Sequence, residues 1–398
     1  MRGTGRPSRT PACTFNSVLV GTKQRNVRKC SVKAAAAKVR CSSLRVLSLP
    51  GREFGGNPYI KLFCDSLERA GIAVVNIHTT QGKYLKFDVL HIHWPEFYIT
   101  EKPIYTAMAL APTILFYMVA TKLLRKKIVW TIHDVTPMRP RHARLLQLYL
   151  LCVRVLVDAY VFMSPSSEAE FVKIFPRTRK KKVCHVPHGP YPVSATSQQR
   201  QAELTERLSG GGDCLLVGFF GDIRPYKNAE VLAYLPDQDA IGREIKIVVA
   251  GAADPTYNTT EIEAPLSRIL PKRMVRIKER ISDQDLVDMI RAVDFVLLPY
   301  LRGSNSGFSM LVLSCGQRLL CSALPMFREL QNRLGPPWVH IFDHHAKNLS
   351  AELEAALSRV QHDLVDPDAT SRLAAFLDEC SFDHGAQRLC QLYRRLMN

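Results

Sequence analysis

The chain has 398 residues, of which 46% are hydrophobic and 23% are charged, an ordinary globular composition with enough apolar residues for two domain cores. The formal net charge is +18, but residues 1–52 hold twelve Lys or Arg and no acidic residue. The excess charge therefore belongs mostly to the first residues and is weak evidence for a nucleic-acid partner, so no such partner is expected.

Residues 1–43 form a basic segment rich in Arg, Lys, Ser and Ala. Its composition fits an organellar transit peptide, a disordered arm, or translated sequence upstream of the true start, and these three alternatives stay open. It lacks the continuous apolar stretch of a secretory signal, and the eleven cysteines include no C-x-x-C pair. We therefore expect a cytoplasmic protein, with organellar targeting by residues 1–43 left open.

Residues 44–195 alternate between strand-like and helix-like segments, which predicts a parallel sheet covered on both faces. The strands are 44–49, 72–77, 89–92, 128–132, 159–163 and 183–186, and the helices are 59–70, 103–121 and 142–156.

The helix-like segment from Pro103 to Thr121 contains no charged residue and is followed by a basic cluster that ends at Lys127. Its length just reaches that of a transmembrane span, but a strand-like run follows at once. We expect a buried or membrane-docking helix rather than a true span. The basic cluster suits anionic lipid, although a solvated helix end gives the same pattern.

A polar stretch, 196–213, predicts a linker, and a second alternating series follows. Its predicted strands are 215–220, 245–250, 295–299 and 318–321, with helices from about 228, at 283–292, from about 307 and through most of the last forty residues. We assign 214–375 to a second domain and 376–398 to a C-terminal helix. The cleft of such a protein lies at the carboxyl ends of its strands.

Two loops of the second domain contain residues suited to phosphate binding. After the strand that ends at Phe220, a glycine turn leads to Arg224 and Lys227 before a predicted helix, where an anion is favoured. After the strand at 295–299, Ser306 and Gly307 precede another predicted helix and offer backbone N–H groups. The alternatives are solvated basic residues in the first loop and an ordinary helix cap in the second.

The order of these blocks resembles that of GT-B glycosyltransferases of family 4. The second half contributes FFG-x-IRPYKN, FVLLPY, NSG and LSCG, and the first half contributes HIHWPE, VWTIHDVTP and VPHGPY. Among such enzymes, the blocks resemble in particular the bacterial β-mannosyltransferases of the xanthan-assembly type, which act on lipid-linked glycans. The similarity covers roughly 45–345. One departure is that Gly303 and Leu311 occupy the positions of the usual Glu-x7-Glu pair.

The resemblance implies a GT-B fold of two Rossmann-like domains and a hexosyl transfer, with mannose from GDP-mannose passing with inversion to a saccharide, expected to be lipid-linked. Arg224 and Lys227 would neutralise the donor diphosphate, so no metal or other cofactor is expected. The remaining implied donor-binding residues are Asn305, Ser306 and Gly307 in the second domain and Gly51, Gly55 and Gly56 in the first.

An inverting transfer needs a base, and four candidates follow apolar strands of the first domain: His93, Glu96, His133 and Asp134. Glu96 is favoured and Asp134 comes second, while the resemblance implies that His133 touches the donor sugar. For each carboxylate, helix capping stays open as the alternative to a catalytic role. For each histidine, the alternative is a structural hydrogen bond.

Other functions stay open at this stage. The missing Glu pair leaves room for a non-catalytic GT-B scaffold, and a UDP-sugar donor is the alternative within enzymes. A dinucleotide-dependent dehydrogenase is disfavoured, because no G-x-G-x-x-G follows the first strand.

Overall fold

The computed structural model describes residues 44–53, 58–75, 86–137, 141–254, 259–363 and 366–398. The predicted basic segment 1–43 lies outside them. Within the described ranges the strands form two parallel sheets of six strands each. This confirms the predicted α/β architecture of two doubly wound domains.

The first sheet has the order β2-β1-β3-β4-β5-β6. Its strands are β1 Arg45–Leu49, β2 Ala73–Val75, β3 Val89–His93, β4 Lys127–Ile132, β5 Ala159–Phe162 and β6 Lys182–His185. Because successive residues of a strand point to opposite faces, β3 and β4 contribute to two cores. Leu90 and Trp130 pack in one core, and Val89 and Val129 pack in the other.

The second sheet has the order β12-β11-β10-β7-β8-β9. If β7 is counted as strand 1 and the sheet is read from the β9 edge, the order is 3-2-1-4-5-6, which is that of dinucleotide-binding folds. Its strands are β7 Cys214–Phe220, β8 Glu244–Ala250, β9 Met274–Ile277, β10 Phe295–Leu298, β11 Leu319–Ser322 and β12 Val339–Phe342. The sequence patterns did not predict β9 and β12, which are four-residue strands at the two edges of this sheet.

Helices cover both faces of each sheet. The helices of the first half are α1 Pro58–Arg69, α2 Phe97–Thr100, α3 Ile104–Leu123, α4 Ala143–Leu156, α5 Pro165–Ile174 and α6 Gln198–Ser209. Those of the second half are α7 Thr259–Ser267, α8 Asp283–Ala292, α9 Gly307–Ser314, α10 Pro325–Leu334, α11 Leu349–His362, α12 Pro367–Glu379 and α13 Phe382–Met397.

The segment predicted as a linker, 196–213, contains α6. Ser197 caps this helix by accepting a hydrogen bond from the Arg200 N–H, and Gly210 ends it in the left-handed conformation. Leu204 and Leu208 are 3% exposed and belong to the core of the second domain. The segment is therefore part of that domain's packing as well as a connection.

The C-terminal helix α13 packs on the first sheet, although it follows the second domain in the chain. Its apolar side, which includes Leu389 and Tyr393, shares a core with α1 and β3. Tyr393 Oη also bonds to His91 Nδ1 on β3 at 2.5 Å. The last helix thus ties the end of the chain to the first domain.

Candidate active site

The carboxyl ends of the two sheets meet through their loops. The Asn305 Nδ2 in the loop after β10 donates a hydrogen bond to the backbone oxygen of His133, just after β4, at 2.7 Å. The Val135 N–H donates to Ser304 Oγ at 3.1 Å. Because parallel strands present their following loops at one edge, these contacts place the predicted residues of both domains along one cleft.

Two carboxyl groups of the first domain lie in this cleft. Glu96 precedes α2, and its side chain makes no capping bond to the helix. Helix capping therefore does not explain the presence of a carboxyl group at this position. Burial, together with the nearby Asp134 carboxyl, raises the pKa of Glu96 to about 8. Burial also raises the pKa of Asp134 to about 6, against the effects of a Ser304 backbone hydrogen bond and the Arg302 charge. Desolvated carboxyls of this kind suit proton transfer.

The other two base candidates are hydrogen-bonded to each other. His93 Nδ1 and His133 Nε2 are 3.0 Å apart. The His133 ring stacks on Trp94 with centroids 3.9 Å apart and meets Tyr59 edge-on at 4.9 Å. Burial lowers the pKa of both histidines well below the ordinary value, so both rings are neutral at pH 7.

The loop after β7 brings Arg224 and Lys227 to the edge of the cleft, but the α-helix predicted from Asn228 is wrong. Short 3-10 helices, Pro225–Lys227 and Ala229–Tyr234, stand there, and Asn228 between them has φ of +57°. The α-helix N-terminus that was expected to stabilise an anion is therefore not available here. Only the side-chain charges of this loop can attract one.

These two basic side chains differ in environment. Arg224 Nε lies 2.9 Å from Asp254 Oδ2. Lys227 is 7% exposed, and its Nζ donates to the backbone oxygen of Phe220 at 3.4 Å. Burial and the Arg224 charge lower the Lys227 pKa to about 8. The loop can turn this tightly because Gly221 has φ of +84°, and an added Cβ would stand 3.1 Å from Lys227 Nζ.

The loop after β10 leads into α9. Ser306 caps this helix, since its hydroxyl accepts from the Ser309 N–H at 3.1 Å. Gly307 faces the first domain, where a Cβ would stand 2.8 Å from His188 Nε2 and 2.9 Å from Tyr191 Oη. The Ser306 hydroxyl and the Asn305 amide thus already have protein partners, and the close approach of the two domains requires glycine at 307.

The two positions of the missing Glu pair, Gly303 and Leu311, have different environments. Gly303 has φ of +146°, a conformation that favours glycine, and Leu311 packs against the core of the second domain. Two of the predicted donor-binding residues, Gly55 and Gly56, lie outside the described residues.

The structure adds residues that the sequence patterns did not single out as site residues. Tyr59 on α1 is 4% exposed and lies 5.0 Å from His188, measured between ring centroids. A small cavity of about 60 Å³ lies between the domains, and His188, Ser164 and Glu329 are among its lining residues. His188 follows β6 at the same sheet edge as Glu96, so its position after a strand was the signal that could have identified it.

No family model matches this chain. It is 24% identical over 326 residues to the GDP-mannose:glycolipid 4-beta-D-mannosyltransferase of Xanthomonas campestris pv. campestris, which covers 82% of this chain and 84% of the relative. A second protein of that name from another strain is 23% identical over the same shares. The resemblance seen in the sequence blocks is thereby confirmed.

Solved structures agree on the fold. Sucrose-phosphate synthase from Thermosynechococcus elongatus superposes with a TM-score of 0.61 at 14% identity, over 89% of this chain and 99% of that chain. HepE from Anabaena, solved with UDP, superposes with a TM-score of 0.61 at 13% identity, over 89% of this chain and 100% of that chain. The two sheets are thus those of the GT-B fold, as predicted.

Proposed function

We propose that this GT-B glycosyltransferase transfers mannose from GDP-mannose, with inversion, to a hydroxyl group of a lipid-linked saccharide. The observation that carries the proposal is that desolvated carboxyl groups follow strands of the first sheet and basic side chains follow a strand of the second, where the loops of the two sheets meet. Glu96 and Asp134 lie on the side of the first sheet, and Arg224 and Lys227 lie on the side of the second. Mannose and the guanine nucleotide are proposed from the relatives named above.

In the proposed reaction, the ionised Glu96 carboxylate takes the proton of the acceptor hydroxyl. The hydroxyl oxygen forms a bond to the anomeric carbon as the bond from that carbon to the phosphate oxygen breaks. The leaving diphosphate carries off the electron pair, and Arg224 and Lys227 offset the developing charge. The protein's own cations perform this step, so the proposal includes no metal or other cofactor. A carboxylate with a raised pKa is a stronger base than an ordinary glutamate, which favours the proton transfer.

Replacing Glu96 by glutamine tests the base. The variant should keep its affinity for GDP-mannose, measured by calorimetry, and lose turnover by about 10²–10⁴-fold. Glu101→Gln, the same change five residues further along the chain, serves as the matched control. Wild-type turnover by the Glu96 variant would exclude it as the base and move the role to Asp134. Binding of UDP-sugars in place of GDP-mannose would exclude the proposed donor, and the failure of wild type to turn over any nucleotide sugar would favour a non-catalytic scaffold.

The acceptor is proposed to be reached at a membrane surface. Helices α3 and α4 pack on the first sheet with one side and expose large apolar residues on the other. The α3–α4 apolar surface consists of Tyr105, Met108, Phe116, Tyr117, Leu123, Leu148, Leu151 and Val155, all of which are exposed. Among the described residues, α3 is long and apolar enough to cross a membrane. Its packed stripe, which includes Ala111 and Met118, supports docking rather than spanning.

Basic side chains border this surface. Lys181 Nζ donates to the backbone oxygen of Val155 at the end of α4, at 2.9 Å. This hydrogen bond places the segment that precedes Lys181, with the exposed Arg177, Arg179 and Lys180, next to the end of α4. Such a border is attracted to anionic lipid headgroups. We therefore propose a protein located in the cytoplasm and bound peripherally to the inner face of the membrane.

Vesicle co-sedimentation tests the docking. The full chain should bind vesicles that contain anionic lipid, and Phe116→Glu should weaken that binding. Ile241→Glu is the matched control, because Ile241 is 75% exposed and lies in the second domain. Equal binding by the two variants would exclude the α3–α4 apolar surface as the docking site.

A further inference from the structure

The hydrogen bond between His93 and His133 limits where their protons lie. Both rings are buried, with 0% and 8% exposed, and both are neutral. A neutral imidazole carries one ring proton, so in the bond between His93 Nδ1 and His133 Nε2 one nitrogen donates and the other accepts. Two arrangements are therefore open, and they differ in which nitrogen of His133 carries the proton.

The surroundings of His93 decide between the two arrangements. Its Nε2 is buried and has no hydrogen-bond partner in the part of the chain that the structure describes. The ring is surrounded by Phe63, with centroids 4.7 Å apart, and His91, stacked at 4.6 Å. If His133 were the donor, the proton of His93 would lie on this nitrogen as a buried, unpaired N–H. Unpaired buried N–H groups are rarer in proteins than unpaired acceptors, so the proton belongs on His93 Nδ1.

We infer that His93 donates its Nδ1 proton to His133 and holds His133 in the tautomer that is protonated at Nδ1. Its Nδ1 is then a hydrogen-bond donor, and no described residue accepts from it. His133 lies where the two domains meet, since its backbone oxygen accepts from Asn305. The free N–H is therefore available to an oxygen of the bound nucleotide sugar, a hydroxyl or a phosphate oxygen.

This assignment deepens the proposed function and rests on it for the identity of the ligand. His133 has no free lone pair, because Nε2 accepts from His93 and Nδ1 carries the proton. It cannot take the proton of the acceptor hydroxyl, so it serves as a donor to substrate and leaves the base role to a carboxyl group. His93 touches no substrate and acts as a positioning residue.

The tautomer is measured directly in the ligand-free full chain. In nitrogen NMR spectra of protein labelled at histidine, the protonated and bare ring nitrogens have separate shifts, and His133 is assigned from the signal lost in His133→Gln. We expect Nδ1 to be protonated in the wild type. Protonation at Nε2 would overturn the inference, and this result would not depend on whether GDP-mannose is the donor.

Variants of His93 provide the kinetic test. His93→Phe should raise the KM for the nucleotide sugar about tenfold, the equivalent of one hydrogen bond, and should lose the tautomer preference of His133. His93→Asn should restore much of the affinity, because its amide N–H can replace Nδ1. His91→Phe, a neighbouring buried ring with no bond to His133, is the matched control for packing damage. An equal loss in the His91 and His93 variants, without rescue by asparagine, would show that His93 acts through packing alone.

Discussion

Replacing Lys227 with methionine separates the electrostatic role of this side chain from its packing role. The shift of the Lys227 pKa from 10.5 to about 8 corresponds to about 3 kcal/mol of unfavourable free energy of the charged ammonium group, caused by burial and by the Arg224 charge. The folded-state pKa lies below the unfolded one, so the cost is complete below pH 8 and disappears as the pH rises from 8 to 10.5. Without ligand at pH 7, Lys227→Met should therefore be more stable than the wild type by up to about 3 kcal/mol.

Nucleotide-sugar binding should favour the wild type over Lys227→Met. A bound diphosphate restores the charged form of Lys227, so binding takes up protons and weakens as the pH rises through 8. Affinity for GDP-mannose should fall about fourfold between pH 7 and 8.5, as expected for a free-state pKa of about 8 that returns to its ordinary value in the complex. Loss of the charge in Lys227→Met should weaken binding at pH 7 by about ten- to a hundredfold.

Calorimetry at pH 7 and 8.5, in buffers of different ionisation enthalpy, measures both the affinity and the proton uptake. Arg224→Met is the comparison variant: it should weaken binding at both pH values and move the pH dependence to higher pH, because the Arg224 charge no longer lowers the Lys227 pKa. Any dependence left in Lys227→Met would come from Glu96, whose pKa is also about 8. Equal wild-type affinity at both pH values, or unchanged binding by the Lys227 variant, would refute the role given to this ammonium group.

Three further outcomes are expected. Gly307→Ala should lower stability by about 1–3 kcal/mol in thermal unfolding, because its Cβ would crowd His188, whereas Gly212→Ala should not, because its Cβ would make only an ordinary contact 3.8 Å from the Ser209 backbone oxygen. Tyr393→Phe should cost about 1–3 kcal/mol by leaving buried His91 without this partner; an unchanged melting temperature would mean that the bond contributes nothing. Turnover should survive a metal chelator, since the proposed mechanism gives neutralisation of the diphosphate to Arg224 and Lys227, and full inhibition by chelation would contradict that proposal.

The local sequence was enough to determine the fold class. Long apolar runs such as Leu215–Phe220 predict buried parallel strands whatever their partners, and the structure places that run in β7. Residues that follow such strands were expected at one edge of the sheet, and Glu96 and Asp134 do lie near each other there. The edge strands β9 and β12 of the second sheet were missed, whereas the edge strands β2 and β6 of the first sheet were predicted.

The details of the site depend on contacts between residues far apart in the chain. The bond between His93 and His133 joins residues forty positions apart, and the crowding of Gly307 by His188 joins the two domains. The α-helix predicted from Asn228 is replaced by a short 3-10 helix, Ala229–Tyr234, which begins after left-handed Asn228. Sequence patterns report local backbone preference and burial, and they carry no information on which buried polar groups become partners. The sequence by itself therefore determined the two domains and the residues at their strand ends, whereas the tertiary structure decided the pKa values, the histidine pairing and the return of α13 to the first sheet.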